Sequence, residues 1–296
     1  MKLEQLKIAY VCYKDVGTFD SPVEDEESVL FNFLRDKGLQ LTKVIWNDDR
    51  VDWKSFDLAL LKSPWDYFEV IDTFYSWLTH LDEIKLPLLN PTDLVKWNAD
   101  KHYLAEIADA GLPVIPTAYI NKGTRLELET FFERFKTDQI IIKPCVSGGS
   151  FHTFKVTKEN LEEIQNKVQL LLKTMDFMVQ PFIPEVQIEG EWSLLFFNGK
   201  FSHCLLKKAK SGDFRVQHFL GGTIHPQQPS EAMLKSAKQY VDQFAKSSLY
   251  ARVDGVMIDE TFTLMELELI EPYMFLFTDV EGYENYYKAL KEKMEG

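Results

Sequence analysis

Two runs near the end of the chain restrict its fold most: Tyr250-Ala-Arg-Val-Asp-Gly-Val-Met-Ile258 and Leu264-Met-Glu-Leu-Glu-Leu-Ile270, with Asp259-Glu260-Thr261 between them. Both alternate at period two around turn-forming residues, which predicts an antiparallel hairpin. Arg252 and Asp254 then share a face of the first strand, and Glu266 and Glu268 share a face of the second. Where the two polar faces coincide, three carboxylates and one guanidinium converge. Unpaired, the carboxylates repel one another, and a hard divalent cation with oxygen ligands is the usual remedy. Asp254, Glu266 and Glu268 are therefore a candidate Mg²⁺ cage, with Arg252 as an anion-binding neighbour. A solvated outer hairpin face has the same alternation, so this pattern alone leaves both readings standing.

The 296 residues, 45% of them hydrophobic, can bury a sizeable core and predict two or three domains or subdomains. A net charge of -13, without a long Lys/Arg run, argues against nucleic acid as a partner. Cys12, Cys145 and Cys204 are odd in number, widely spaced and free of any CxxC, so neither a disulfide framework nor a zinc ribbon is indicated. A reducing cytoplasm fits that usage. No run approaches the ~18 apolar residues of a membrane span, and the first residues have no targeting character.

The first ninety residues alternate strand and helix signals. Lys7–Cys12, Leu41–Trp46 and Asp57–Lys62 read as strands, Glu24–Lys37 and Asp72–Leu81 as helices, and Gly38 as a helix stop. Such alternation predicts a parallel sheet with ligand outside the carboxyl ends of the strands. Trp65, Asp66 and Tyr67 lie at one such end and are candidate substrate contacts, although packing explains them as well. A helix capped by Asn98 and ending before Gly111 places Lys101 in its first turn. A second α/β unit follows, with strands 117–120, 139–143, 153–156 and 177–180 and helices 125–135 and 158–172. The last third has strands 192–197 and 200–206 joined at Asn198-Gly199, a helix from Ser230 to Phe244, the 250–270 hairpin and a terminal helix 283–294.

Further motifs precede the hairpin. Ile140-Ile-Ile-Lys143 runs into Ser147-Gly148-Gly149-Ser150, a cation beside a small loop whose N–H groups can close over an anion. The run is neither a Walker A nor a dinucleotide glycine motif, and a plain turn explains it too. Phe177-Met-Val-Gln180-Pro181-Phe182-Ile183-Pro offers backbone groups to a flat heterocycle, and Glu191 follows at a distance that returns a carboxylate to a ribose; a linker between lobes is the alternative. Lys207-Lys208-Ala-Lys210-Ser-Gly-Asp213-Phe-Arg215, with Gly221-Gly222 beyond, forms a basic patch read as a solvated or anion-binding loop. His152, His203 and His218 are isolated and read as packed or surface residues.

In order and spacing these motifs resemble the ATP-grasp superfamily over nearly the whole chain, in particular glutathione synthetase-like and RimK-like ligases and the bacterial D-cycloserine ligase-like group. The resemblance implies an α/β ATP-grasp fold: an N-terminal Rossmann-like pre-ATP-grasp domain over 1–95, a small lobe with lid and glycine loop over 96–183, and a metal-bearing lobe over 184–296, with ATP between the lobes. It further implies that Lys101 and Lys143 hold the α- and β-phosphates and that Ser147, Gly148, Gly149 and Ser150 cover the triphosphate. By the same likeness Gln180, Pro181, Phe182 and Ile183 hold adenine and Glu191 the ribose. Asp254, Glu266 and Glu268 match magnesium ligands, two Mg²⁺ being expected with Mn²⁺ as a substitute. Arg252 matches the arginine that steadies the transferring phosphoryl group, and Arg215 a substrate or phosphate contact. Trp65, Asp66, Tyr67, Gly221 and Gly222 would face substrate. Many relatives have Asn at the position of Glu268, which adds a charge here.

The activity so implied is ATP-dependent carboxylate–amine ligation of small amino-acid-like or peptide substrates through an acyl phosphate, releasing ADP and phosphate. A small-molecule kinase and a non-catalytic nucleotide-binding regulator are the alternatives. The aromatic helix at Phe74-Tyr75-Trp77 suits a core or a homo-oligomer interface equally.

Overall fold

Uninterrupted apolar runs make the first sheet. The computed structural model describes residues 2–14, 25–210, 215–216 and 221–295. β1 (Lys7–Cys12), α1 (Glu26–Asp36), β2 (Gln40–Ile45), β3 (Leu58–Ser63), α2 (Ile71–Glu83) and β4 (Leu88–Leu89) form a parallel sheet of order β2-β1-β3-β4. Its central strand β3 is buried along its whole length, as a sheet covered on both faces requires. Phe74 and Trp77 pack inside this layer against Trp46 and Trp53. They are core residues of this chain. The expected start of α1 at Glu24 lies outside the described residues.

The single helix expected from Asn98 is instead two, α3 (Thr92–Asn98) and α4 (Tyr103–Asp109). Asn98 caps no helix. Its buried amide donates to Leu267 O at 2.7 Å and accepts from Leu269 N at 3.0 Å, acting as an extra strand pairing at the end of the hairpin. Asn90, between β4 and α3, does the same, donating to Tyr250 O and Leu269 O and accepting from Leu249 N. Lys101 consequently stands in the turn between α3 and α4.

β5 (Ala118–Ile120), α5 (Glu129–Phe135), β6 (Ile140–Pro144), β7 (Phe154–Val156), α6 (Leu161–Leu171) and β8 (Phe177–Pro181) build a small antiparallel sheet of order β5-β8-β6-β7. α5 begins later than the expected Arg125. The N–H groups of Leu126 and Leu128 are given to Gln169 and Gln165 of α6 at 2.8 and 2.9 Å, which holds that segment out of the helix.

α7 (Glu185–Ile188) leads into the third sheet, β9 (Glu191–Phe197), β10 (Lys200–Lys208), β11 (Thr223–Gln227), α8 (Glu231–Phe244), β12 (Tyr250–Ile258), β13 (Thr261–Glu268) and α9 (Gly282–Glu295), with strand order β11-β10-β9-β12-β13. Asn198 and Gly199 both have positive φ, 47° and 72°, which closes the β9–β10 hairpin with a twist that suits its strands. β11 was not anticipated: Thr-Ile-His-Pro-Gln is exposed and carries Pro226, as an edge strand tolerates. Alternation divides the sheet's two faces. Leu194, Phe196, Ala251 and Val253 pack with α4 and α8, while Leu195, Phe197 and Tyr250 pack with α9 and the first sheet. The β12–β13 hairpin is therefore embedded in the protein, and the solvated-face reading does not hold.

Candidate active site

The β12–β13 register pairs Arg252 with Glu268 and Asp254 with Glu266. Arg252 and Asp254 are 7% and 2% exposed, so these charges are resolved by one another and by neighbouring cations. Arg252 Nε donates to both Asp254 oxygens at 3.0 and 3.1 Å, its terminal nitrogens reach Asp254, Glu268 and Tyr273 O, and its guanidinium lies near the Phe275 ring. Asp254 also accepts from Ser193 Oγ at 2.6 Å and from Lys207 Nζ at 3.1 Å. On the second strand, Glu266 Oε1 lies 3.1 Å from Lys101 Nζ, which donates in turn to Ser147 O at 2.6 Å.

All of these but Ser193 line one cavity of about 610 Å³, within the range of small-ligand sites. Its wall also contains Lys143, Ser147, Gly148, Gly149, Ser150, Gln180, Pro181, Phe182, Ile183, Glu191, Arg215, Trp65 and Tyr67. Asp66, Gly221 and Gly222 are not part of it. Asp66 accepts the Trp46 indole N–H at 2.6 Å and so holds the core, while Gly221 packs beside Lys210 ahead of β11. Of the expected basic loop, Lys207 and Lys208 are the last residues of β10, and 211–214 lie outside the described residues, as does His218. His203 is 5% exposed and bonded to Met274 O, and His152 packs beside Phe151 and Phe154.

Four participants, Lys207, Glu271, Glu26 and Glu27, were missed or misplaced. Lys207, expected in a loop, is buried between Glu191 at 2.5 Å and Asp254 at 3.1 Å. Glu271 lines the cavity beneath the glycine loop, its Oε1 3.5 Å from where a Cβ on Gly148 would sit, and its carbonyl accepts the Trp65 indole N–H at 3.1 Å. Across the cavity the first turn of α1 contributes Glu26 and Glu27. Glu26 pairs with Lys62 and accepts from Met274 N and Leu276 N, and Glu27 is held by Lys43 and Ser63. A carboxylate following two apolar residues and preceding Pro272 was the available clue to Glu271.

The protonation pattern follows from burial and pairing. Burial would raise Asp254, yet Arg252 and Lys207 hold it well below the usual carboxylate range. Burial likewise opposes Glu266, and Lys101 and Lys143 keep it low. Glu268 is pushed up by burial to about 7, against Arg252 and with the help of Asp254 and Glu266. Glu271 rises to about 8 through burial and then Glu268. Burial lowers Lys143, Lys101 adds to the shift, and Lys143 has no hydrogen bond or ion pair to a described residue. The cavity thus holds a cation awaiting an anion and an excess of carboxyl oxygens. That donor set, all hard oxygens with two groups kept partly protonated, fits divalent cations arriving with a polyanion.

Gly148 is pressed by Phe68, with a built Cβ only 2.9 Å from its ring, and Phe68 also meets Phe151. The glycine loop is therefore seated against the first domain. Phe182 spends its N–H on Gln139 O at 2.9 Å, and Lys155 Nζ lies 3.9 Å over the Phe182 ring at the end of β8.

Comparison with known proteins bears on the family and the fold. Residues 107–272 match the prokaryotic glutathione synthetase ATP-grasp domain, and residues 8–90 match the N-terminal domain of D-cycloserine synthetase DcsG. The cycloserine biosynthesis protein DcsG of Streptomyces lavendulae is 26% identical over 293 residues, covering 93% of this chain and 95% of that protein. The crystal structure of D-cycloserine synthetase DcsG superposes with a TM-score of 0.82 at 25% identity, over 97% of this chain and 99% of that one. D-alanine–D-alanine ligase from Bacillus anthracis complexed with ATP has the same fold, with a TM-score of 0.68 at 14% identity over 98% and 99% of the two chains. Among the described residues, no helix is long and apolar enough to cross a membrane. By the match to its central and C-terminal sequence, carried on a fold shared from end to end, this chain belongs to the ATP-grasp family of the prokaryotic glutathione synthetase type.

Proposed function

We propose that the protein is an ATP- and Mg²⁺-dependent carboxylate–amine ligase for small amino-acid-like substrates, working through an acyl phosphate. The observation that carries this reading is the hairpin register: Arg252 opposite Glu268 and Asp254 opposite Glu266, facing Lys101 and Lys143 across one cavity. A protein that merely bound nucleotide would have no need of this buried carboxylate set.

In this reading Lys101 and Lys143 hold the α- and β-phosphates, the 147–150 loop covers the triphosphate, and the 180–183 backbone holds adenine. Glu191, with one oxygen on Lys207, offers the other to a ribose hydroxyl. Asp254, Glu266 and Glu268 would hold two Mg²⁺ ions. Bound there, Mg²⁺ offsets the charge that develops on the transferring phosphoryl oxygens. The substrate carboxylate attacks the γ-phosphorus in line, ADP leaves, and an amine displaces phosphate from the acyl phosphate. Arg252 lines the same cavity, where its guanidinium would stabilise the oxyanion of the tetrahedral intermediate. Seating of the glycine loop on Phe68 keeps water from the acyl phosphate. The substrate side of the cavity, with Trp65, Tyr67 and Arg215, accepts a compact polar molecule against aromatic walls.

The test is ADP release from Mg-ATP against pooled amino acids and dipeptides, with Asp254→Ala/Glu266→Ala as the control. Turnover in the wild type that the double variant lacks supports the ligase. Tight ATP binding without turnover on any pool would move the reading to a nucleotide-responsive regulator.

A further inference from the structure

Behind Lys101, away from the cavity wall, Asp100, His102 and Cys145 bring a carboxylate oxygen, a ring nitrogen and a sulfur within 4.8 Å of one another. Two of them flank Lys101 in the α3–α4 turn, and the third follows β6. The pieces are tied together already: Lys101 N donates to Cys145 O at 2.9 Å, and His102 Nδ1 shares a proton with Asp100 Oδ1 at 2.6 Å. Tyr119 stacks on the His102 ring at 4.4 Å between centroids, and its hydroxyl donates to Lys101 O at 3.2 Å. This fixes the imidazole plane in the way outer partners fix a metal-binding histidine.

The chemistry here differs from that of the carboxylate cage. The cage is all oxygen and suits hard cations, whereas a thiol, an imidazole and one carboxylate suit a borderline-soft ion. Zn²⁺ with bonds of about 2.0–2.3 Å places tetrahedral ligand atoms on the order of 3.5 Å apart. The three ligand atoms already lie within 4.8 Å of one another, and the His102–Asp100 pair would open from 2.6 Å to reach that spacing. Access is available because the Asp100 and His102 side chains are 38% and 39% exposed, while Cys145 at 1% closes the inner side.

We infer that Asp100, His102 and Cys145 form a binding site for a thiophilic divalent ion of the Zn²⁺ class, separate from the carboxylate cage and joined through the backbone to Lys101. Coordination replaces the proton shared by His102 and Asp100 and releases the Cys145 thiol proton to solvent, with a water as fourth ligand. The ion then links the α3–α4 turn to the end of β6 and restricts the backbone from which Lys101 reaches into the cavity. The site does not depend on the ligase reading.

Cobalt(II) titration of the full chain without nucleotide tests it, because tetrahedral thiolate coordination gives a near-ultraviolet charge-transfer band that oxygen ligands do not. One equivalent of Co²⁺ should produce the band and Zn²⁺ should abolish it. Cys145→Ser should lack it, and Glu266→Gln/Glu268→Gln should keep it. His102→Ala, on the half-exposed turn with the thiol intact, should weaken binding about tenfold or more. The inference is overturned by a wild type without the band at saturating Co²⁺, by a band that survives Cys145→Ser, or by His102→Ala binding as tightly as the wild type.

Discussion

Lys101 Nζ lies 3.1 Å from Glu266 Oε1, so an expected phosphate ligand is held by an expected metal ligand. Arg252 and Lys207 stand in the same relation to Asp254. These groups neutralise one another, so on the proposed reading Mg²⁺ and ATP would have to exchange partners with them together. Nucleotide affinity should therefore rise with Mg²⁺ by a factor in the range of about 5–150, the usual span of coupling between sites. Glu266→Gln should bind metal-free ATP more tightly than the wild type while losing turnover. Calorimetric titration with and without Mg²⁺ measures both, and equal ATP affinity in the two proteins without metal would refute the exchange.

The raised carboxyls give the protein a definite pH response. Glu268 and Glu271, held at about 7 and about 8 against an unfolded value of about 4.3, bind more protons folded than unfolded between those limits. Their contribution to stability is present below about pH 4.3 and falls as pH rises through the window to about 8. Mg²⁺ competes with the Glu268 proton, so metal affinity should increase from pH 6 to 8. Thermal unfolding and Mg²⁺ titration across that range check both slopes. Glu268→Asn, which removes one proton site, should flatten them, and slopes unchanged in this variant would count against the assignment.

How much of this was legible in the sequence depended on the range of the interaction. The hairpin was readable because alternation and turn residues are local, and Asn198-Gly199 was readable for the same reason. Asn98 looked like a helix cap because its partners, Leu267 and Leu269, are far away in sequence and no local pattern announces them. Lys207 looked like part of a basic loop, yet β10 extends far enough to bury it between Glu191 and Asp254. Asp66 was grouped with Trp65 and Tyr67 by adjacency, whereas its side chain turns away to Trp46. Local chemistry marked the charges of the site, and tertiary contact decided which of them meet.

Asn98 makes a stability prediction. Replacing it with Ala leaves Leu269 N buried without this partner, while Leu267 O keeps the Tyr103 hydroxyl at 3.1 Å. The cost should be about 1–3 kcal/mol, read as a lower urea midpoint at unchanged m-value. A loss below 0.5 kcal/mol, in contrast to that order-of-magnitude figure, would mean that water or backbone replaces the amide.

Gly148 offers a test of loop seating. Its backbone is of a kind any residue adopts, so an added methyl acts through contact alone, 2.9 Å from the Phe68 ring. Gly148→Ala should lower kcat/KM for ATP by about 10–100-fold through misplacement of the loop. Phe68→Leu should recover part of that loss in the double variant, a coupling that a double-mutant cycle measures. Strict additivity would place the methyl's effect elsewhere.

The acyl phosphate is the centre of the account, and hydroxylamine trapping tests it most directly. With Mg-ATP, hydroxylamine and a carboxylate substrate drawn from the active pool, the wild type should form one hydroxamate for each ADP released, and Asp254→Ala/Glu266→Ala should form neither. ADP released without hydroxamate, together with a phosphate ester on a substrate hydroxyl, would contradict the ligase and identify a kinase on the same fold.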